Sequence, residues 1–507
     1  MTRRRRSSSK RTTGGVQQQP WTRAQNPYPP MKIFEDADLE RIHDTSMRVL
    51  EEIGVEFMSA EALSILEKAG AEVDHASGQV RFDRNLIADL VAKAPSSVTL
   101  TPRNPDRAIT LGGSHFNVGL VAGPPNVHDC VHGRRDGNRA DYVKILKLAQ
   151  SLNAVHLIGN QPTAPMELPA ETRHLDCYLD NVTYTDRIFH NTSIGAERAL
   201  DGIDIAAIAR GKTREELVDD PSALTIISVN SPRRFDGAMA EGLVETARWG
   251  QCTVVTPFTL MGAMTPVTLP AALVQQNAEA LAGIALAQAV RPGAPCVYGA
   301  FTSNVDMRTG APAFGTPEHA KAQIAAGQLA RRYGLPYRSS NANASNVCDG
   351  QAAYESQMAI WGAMMGGTNL LYHGAGWLEG GLTASFEKMV MDAEMLQMMM
   401  EFMKPVAVDD DSLGLEAIRD VAPGGHFFGI EHTMARYESA FYTPMLSDWR
   451  NYESWLEAGG QDTTQRATRI WQQLLDEYAA PAMDEAVREQ LDAFVAKRKE
   501  HLARSAA

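Results

Sequence analysis

From residue 115 onward, short apolar and β-branched runs alternate with longer stretches whose apolar residues recur at helical spacing. The short runs predict eight strands, at 115–121, 154–160, 186–192, 224–230, 252–258, 295–301, 336–341 and 368–374. The longer stretches predict a helix after each strand, at about 139–152, 169–182, 195–210, 236–249, 270–290, 317–332, 350–366 and 383–403. Eight successive right-handed βα units predict a closed (β/α)8 barrel, a TIM barrel of the α/β class. The alternative is an open, doubly wound sheet, but no GxGxxG motif follows the first strands to support it.

Regions of different composition flank the barrel, which is predicted to span residues 111–405. Residues 31–110 mix helical and strand patterns and predict an N-terminal α+β cap. Residues 406–507 predict a C-terminal helical extension. Residues 1–30 are basic and rich in Ser, Gly and Gln without an apolar run, so they predict a disordered tail and not a secretory signal.

The distribution of charge argues against a nucleic-acid partner. The chain has a formal net charge of −13, although its first 25 residues hold seven Lys or Arg and no acid, so the remainder is more acidic still. For the basic start, a solvated tail is favoured over contact with nucleic acid or a membrane. No run is apolar and long enough to span a membrane. Five widely spaced cysteines without a CxxC motif suit a reducing, cytoplasmic compartment.

The tightest group of possible metal ligands is HDCVH, at His128–His132. Alternate residues of a strand share a face, which is the spacing a metal site can use. The neighbouring prolines and Gly133 make the stretch rich in turn residues, which favours a plain hairpin. We therefore predict no metal site.

The reacting groups of such a barrel come from the C-terminal ends of its strands and the loops that follow. Here those positions hold amides, hydroxyls, aromatic rings and His, without the Lys of a Schiff-base aldolase or the His/Asp cluster of a metallohydrolase. Such a rim suits a cation that has no acidic proton, because aromatic faces attract a quaternary ammonium. The candidate cage residues are Phe258, Phe301, Phe314, Tyr298, Tyr372, His373 and Trp377. Each ring alone is more typical of core packing, and the alternative that Tyr298 and Tyr372 face the helices stays open.

Several long segments carry a resemblance to a known family. They read DGQAAYE (349–355), GGTNLLYHGAGWLEGGLTASFEKMVMDAEML (366–396), and PGGHFFGIEHT (423–433) followed by SDWRNYESWLEAGGQD (447–462). Over residues 31 to about 480 the chain resembles the trimethylamine methyltransferase family, in its branch without pyrrolysine, which includes glycine betaine methyltransferases. The resemblance implies a (β/α)8 barrel that passes a methyl group from an amine to the cobalt of a corrinoid (cobalamin) carried by a separate small protein.

The resemblance also implies where the family's pyrrolysine would stand. That position falls on NANASN, at Ala342 within two residues, where this chain has an ordinary side chain. A quaternary ammonium departs as a neutral amine, so its methyl transfer needs alignment and exclusion of water more than acid catalysis. We predict a catalytic region made of His373, Asn341 and Ala342. We predict substrate contacts from Asn191, Asn230, Phe258, Phe301, Tyr298, Trp377 and Glu379. The alternatives are a hydrogen bond within the barrel for His373 and a solvated cap for Glu379.

Three functional hypotheses follow. The first is a corrinoid-dependent methyltransferase acting on a quaternary amine such as glycine betaine. The second is a TIM-barrel enzyme of another reaction type, and the third is a non-catalytic protein that binds betaines or a corrinoid protein. The sequence has no Asp-x-His-x-x-Gly signature of a corrinoid module, so under the first hypothesis the cobalt comes on another protein or as free corrinoid. We predict a corrinoid-binding partner protein. The C-terminal helices predict a homo-oligomer.

Overall fold

The computed structural model describes residues 15–505 and contains a barrel of eight parallel strands. The strands are β1 (Asn117–Val118), β2 (Leu157–Ile158), β3 (Ile188–Asn191), β4 (Leu224–Val229), β5 (Cys252–Met261), β6 (Cys296–Gly299), β7 (Tyr337–Ser340) and β8 (Leu370–Tyr372). From β2 to β8 each strand pairs with the next in parallel, β8 pairs with β1, and a single bridge between Gly119 and Leu157 lies between β1 and β2. The Leu120 N–H donates to the Leu157 carbonyl at 2.9 Å, which joins β1 to β2 and completes the ring. The predicted α/β barrel and its eight strands are confirmed.

A helix follows every strand, as predicted. The helices are α1 (Arg139–Ser151), α2 (Arg173–Tyr184), α3 (Ala196–Ala209), α4 (Gly237–Arg248), α5 (Leu269–Val290), α6 (Pro317–Arg332), α7 (Gly350–Met365) and α8 (Phe386–Phe402). The start of α6 has Pro317 in its first turn and Thr316 as its cap, accepting a hydrogen bond from the His319 N–H. The predicted start of α8 at residue 383 is wrong, because Thr383–Ser385 pairs as a strand with Trp377–Leu378 and Asn126–Asp129.

Apolar side chains close the N-terminal end of the barrel. The hairpin Ser97–Leu100 and Ile109–Gly112 inserts its buried side chains among the residues that begin the barrel strands. These packed residues include Leu100, Leu111, Leu157, Leu224, Val254, Val297 and Leu370. The opposite, C-terminal end of the strands is therefore the end that can hold a ligand.

The rest of the N-terminal region lies against the outside of the barrel. Its helices are Asp36–Arg48, Ala60–Ala69 and Arg84–Val91, with a five-residue π-helix at Val49–Ile53. Its short strands Val55–Phe57, Glu72–Asp74 and Gln79–Arg81 form a sheet with Arg234–Phe235, which follows β4. The buried apolar residues of this region share one core with α5 and its neighbours.

Residues 15–30 belong to the folded body, so the predicted disordered tail does not extend to residue 30. The Ala24 carbonyl accepts a hydrogen bond from the Phe116 N–H at 2.9 Å, and the Gln18 side chain donates to the Ser151 carbonyl at 3.0 Å. Ala24 and Val16 contribute to the core, and these few apolar contacts were too sparse to stand out in the sequence. Residues 1–14 of the predicted tail lie outside the described residues.

The C-terminal region is helical and anchored on the barrel. Its helices are Asp410–Leu413, Leu415–Arg419, Glu431–Met434, Tyr452–Glu457, Thr463–Asp476 and Glu485–Ser505. Trp471 donates its indole N–H to the buried Glu387 carboxylate of α8 at 2.8 Å. Lys499 bonds Asp176 of α2 at 2.6 Å, so the last helix packs along the barrel wall. Over residues 15–505, the helices are all too short or too polar to cross a membrane.

The predicted hairpin around His128 is present. Asn126–Asp129 pairs antiparallel with Gly133–Asp136. Asp129 is buried and accepts hydrogen bonds from the Val131 and His132 N–H groups, and it forms an ion pair with Arg135 at 2.7 Å. These contacts explain the spacing of polar residues in HDCVH as turn chemistry.

Candidate active site

A cavity of about 470 Å³ opens at the C-terminal end of the barrel. This volume lies in the range of small-molecule sites, about 300–1,000 Å³. We call it the mouth cavity. Its main side chains are His190 from β3, Ser228 from β4, Phe258 from β5, Phe301 from the extension of β6, Arg338 from β7, and Tyr372, His373 and Trp377 from β8 and its loop. Arg338 is the one charged residue among the described residues that line it.

Aromatic rings form the apolar wall of the mouth cavity. The Phe301 ring lies 5.0 Å from that of Phe258, 5.6 Å from that of His373 and 6.0 Å from that of Trp377, measured between centroids. His373 and Trp377 are closer still, at 4.2 Å. These rings pack against one another and line one side of the cavity, and aromatic faces of this kind attract a quaternary ammonium.

The histidines of the mouth cavity are neutral at physiological pH. Burial lowers the pKa of His190 to about 3, with a further contribution from the nearby Arg338 charge. The same two causes, with a smaller contribution from His190, hold the pKa of His373 well below its usual range. His373 also has a φ of 54°, a left-handed conformation that costs energy for a residue with a Cβ. Strain of this kind is common at functional sites.

The hydrogen bonds of His190 define its tautomer. Its Nε2 accepts from the Ile226 N–H at 3.1 Å, so the single proton of the neutral ring sits on Nδ1. That Nδ1–H donates to the Tyr372 hydroxyl oxygen at 2.5 Å. The Asn160 N–H donates to the same oxygen at 3.2 Å. The Tyr372 ring is therefore fixed with its oxygen at the cavity wall.

A buried polar network supports the loops after β7 and β8. The ammonium of Lys388 on α8 forms an ion pair with Asp392 and donates to the Ser356 hydroxyl at 2.7 Å. Asp392 also accepts from the Gly376 N–H at 2.8 Å and from the Asn341 amide at 3.2 Å. Both charged side chains are completely buried. The network ties the two loops to α8 and so fixes the backbone that carries Trp377.

Comparison with known proteins gives the family. The model of the family described as "Trimethylamine methyltransferase (MTTB)" matches residues 1–503. The chain belongs to the trimethylamine methyltransferase family. A glycine betaine methyltransferase from Desulfitobacterium hafniense strain Y51 is 35% identical over 471 residues, which cover 93% of this chain and 98% of that protein. The trimethylamine methyltransferase MttB of D. hafniense strain DSM 10664 / DCB-2 is 29% identical, covering 91% of this chain and 93% of that protein. A solved structure, the hydroxylamine MtmB complex, covers 90% of this chain and 94% of that one, at a TM-score of 0.49 and 12% identity.

In this member of the trimethylamine methyltransferase family, five of the predicted site residues line the mouth cavity. They are His373, Asn230, Phe258, Phe301 and Trp377. The rings of four of them form the aromatic wall described above. Asn230 is exposed and stands at the rim.

Two of the predicted substrate contacts have side chains that leave the barrel interior. Tyr298 donates its hydroxyl to the Asn277 side chain of α5 at 2.9 Å, on the outer face of β6. Asn191 donates its amide to the Ala199 carbonyl of α3 at 2.8 Å. Both residues are buried between the strands and the helices, away from the mouth cavity.

Three other predicted residues lie next to the mouth cavity without lining it. Asn341 donates to the Gly374 carbonyl at 3.0 Å and to Asp392, so it links β7 to the loop after β8. Ala342 is fully buried in the core. Glu379 forms an ion pair with Arg134 at 2.9 Å and accepts a hydrogen bond from Thr383, so its charge is directed away from the cavity. All three therefore lie outside the lining of the mouth cavity.

The sequence reasoning missed Arg338, which occupies the mouth cavity of this methyltransferase-family barrel. Arg338 is 2% exposed and is the second residue of β7. Burial lowers the pKa of its guanidinium to about 10, which leaves it charged at neutral pH. The feature that could have indicated it is a charged residue in the middle of a short strand predicted to lie in the barrel, where every residue is buried.

Proposed function

We propose that the protein transfers a methyl group from a quaternary ammonium compound to the cobalt of a corrinoid carried by a separate protein. The observation that carries the proposal is the composition of the mouth cavity: an aromatic wall, neutral histidines, and no Asp, Glu or Lys among the described residues that line it. The named activity of the glycine betaine methyltransferase relative supports the same reaction. A barrel enzyme that works through a Schiff-base lysine or a pair of carboxylates would need a Lys, Asp or Glu at this place.

The chemistry of the bond explains why such a lining is sufficient. Loss of a methyl group from a quaternary nitrogen leaves the bonding electron pair on that nitrogen, so the leaving group is a neutral tertiary amine. No proton has to be delivered to it. The rings of Phe258, Phe301 and Trp377 bind the cation, each contributing about 0.5–2 kcal/mol, and hold one methyl group toward the opening.

The rim of the mouth cavity fits the approach of a large planar macrocycle. Its exposed lining residues are uncharged: Gly123, Ile194, Ser228 and Asn230. A corrinoid presented at this rim by its carrier protein would supply a cobalt(I) nucleophile for the substrate methyl group. The residues that line the cavity exclude water from its floor and orient the substrate nitrogen. We assign to His373 a polar contact with the substrate.

The proposal is tested with a panel of N-methylated compounds and reduced cobalamin. Glycine betaine, proline betaine, carnitine and choline are each mixed with enzyme and cob(I)alamin. We expect at least one of the quaternary compounds to consume the cob(I)alamin absorption and release one tertiary amine per cobalt. Phe301→Leu should slow this reaction, whereas Phe494→Leu on the last helix, a partly buried control, should not. A panel in which every compound leaves the cobalt spectrum unchanged would refute the proposal.

We further propose a cytoplasmic location and self-association. Five cysteines without disulfides suit a reducing compartment. Residues 406–457 expose many apolar side chains, among them Phe428 and Phe441, the latter 84% exposed. Exposed apolar patches of this kind are typical of protein–protein contacts. We assign this surface to a second copy of the chain. Analytical ultracentrifugation should give an oligomer that Phe441→Glu dissociates, and a monomeric wild type would contradict the assignment.

A further inference from the structure

Arg338 is a buried cation without a counter-ion. Its Nη1 donates to the Ala300 carbonyl at 3.2 Å, and its Nε has no hydrogen-bond partner anywhere in residues 15–505. Its electrostatic neighbours in the described chain are Tyr372 and Tyr337, not a carboxylate. Its guanidinium carbon lies 5.4 Å from the Phe301 centroid and 5.2 Å from that of Tyr372. A charge buried in this way is costly unless something else pairs with it.

The same fold contains a buried arginine whose role is structural, and it looks different. Arg187 is 3% exposed, at the start of β3. Its two terminal nitrogens donate to the carbonyls of Leu152, Val155 and Gln150 at the end of α1. The neighbouring Asp186 supplies a negative charge nearby. The Nε of Arg187 also lacks a partner, so the two arginines differ in their terminal nitrogens and in their surrounding charge. Three backbone carbonyls and a nearby carboxylate compensate Arg187, whereas Arg338 has one carbonyl and no carboxylate among its described neighbours.

A second donor faces the same volume. The Tyr372 oxygen already accepts two hydrogen bonds, from the Nδ1–H of His190 and from the Asn160 N–H. Its own proton therefore needs an acceptor, and none is among the contacts of Tyr372 in the described chain. Gly119 makes room for this ring, since a Cβ there would stand 2.7 Å from a Tyr372 ring carbon. Arg338 and Tyr372 thus both line the mouth cavity, and each carries a hydrogen-bond donor without an acceptor in the described chain.

We propose that Arg338 and Tyr372 bind the carboxylate of the substrate, so that the enzyme acts on small zwitterions carrying a quaternary ammonium and a carboxylate a few bonds apart. The inference rests on the proposed function and names its substrate class. A guanidinium and a hydroxyl are the donors that a carboxylate prefers. The Phe301 ring contacts both the Arg338 guanidinium and the ring of Phe258. Because the two binding regions are adjacent, the carboxylate and the ammonium of the substrate must be joined by a short spacer.

The same guanidinium discriminates against simple cations. Two unit positive charges about 6 Å apart, at an effective dielectric constant of about 20, repel enough to lower affinity about 100-fold. A zwitterion escapes this penalty because its carboxylate neutralises Arg338. The aromatic wall alone would favour choline and glycine betaine equally, so the preference between them reports on Arg338.

The ligand test uses the unaltered enzyme and calorimetry without corrinoid. The ligands are glycine betaine, its methyl ester, and 3,3-dimethylbutanoate, in which carbon replaces the charged nitrogen. We expect glycine betaine to bind at least 100-fold more tightly than the ester, and dimethylbutanoate to bind measurably. Equal or tighter binding of the ester would overturn the inference. A carboxylate preference without any methyl transfer to cobalt would keep this site and refute the proposed function.

The variant test separates a binding role of Arg338 from a structural one. Arg338→Met should weaken glycine betaine binding at least 100-fold, leave or improve the affinity for tetramethylammonium, and raise the melting temperature, because it removes an unpaired buried charge. Tyr372→Phe should weaken glycine betaine binding about 10-fold. Arg308→Met, which removes an exposed positive charge in the loop after Phe301–Val305, is the matched control and should change neither. A lower melting temperature of Arg338→Met with equal losses for both ligands would overturn the proposal.

Discussion

The ion pair of Lys388 and Asp392 offers the sharpest test of how the loops of the mouth cavity are held. The pair lies on α8, with both side chains fully buried. We compare Asp392→Asn, Lys388→Met and the double variant. The amide introduced by Asp392→Asn would keep an oxygen for the Gly376 N–H, so this single change removes charge and little else.

The expected magnitudes follow from burial. Removing one partner of a buried pair leaves the other charge uncompensated and costs about 3–5 kcal/mol, so each single variant should lose about that much stability. The double variant contains no buried charge at this place, and it should lose less than either single variant. The exposed pair of Glu401 and Lys404 near the end of α8 is the control, because neutralising Glu401 should cost less than about 1 kcal/mol.

The assay is urea unfolding at pH 7, followed by circular dichroism, combined with calorimetric binding of glycine betaine. Asp392→Asn should also weaken binding, because the segment Gly376–Trp377 loses its charged anchor. A double variant whose loss of stability equals the sum of the two single losses would refute the reasoning. That result would mean that the two side chains act independently.

The other predictions concern protonation and ring placement. The folded-state pKa values of His190 and His319 are about 3, below the usual 6.5, so their contribution to stability is complete above pH 6.5 and decreases as the pH falls toward 3. At pH 5 each histidine should lower the free energy of unfolding by about 2 kcal/mol relative to pH 7. Equal urea midpoints at pH 7 and pH 5 would contradict this. Gly119→Ala should displace the Tyr372 ring and lower glycine betaine affinity about 10-fold in calorimetry, whereas unchanged affinity would show that the ring position is unimportant.

The barrel was predictable because its signal is periodic and repeated. Eight buried parallel strands read as short apolar runs, and each is followed by a helix long enough to return the chain. The error at residue 383 arose because Thr383–Ser385 pairs with the strand Asn126–Asp129, a contact between segments distant in sequence. The packing of residues 15–30 was missed for a related reason, since its stabilising contacts, such as Ala24 with Phe116, join residues far apart in the chain.

The site was only partly predictable, because successive residues of a strand face opposite sides. His190 faces the mouth cavity and its neighbour Asn191 faces α3, and both stand at the end of β3. A search for residues at strand ends cannot separate them unless the register is known to one residue. Arg338 was overlooked because it sits before the end of β7 and reaches the cavity through its length.

The charges of the substrate explain why Arg338 and the aromatic wall contribute differently to binding and to reaction. The carboxylate of a zwitterion keeps its charge when the methyl group leaves, so its contact with Arg338 is the same in the ground state and in the transition state. Such uniform binding lowers KM and does not raise kcat. The nitrogen loses its positive charge in the same step, so its attraction to the rings of Phe301 and Trp377 weakens as the bond breaks. The guanidinium therefore selects the substrate, and the rings position a cation that the reaction then removes.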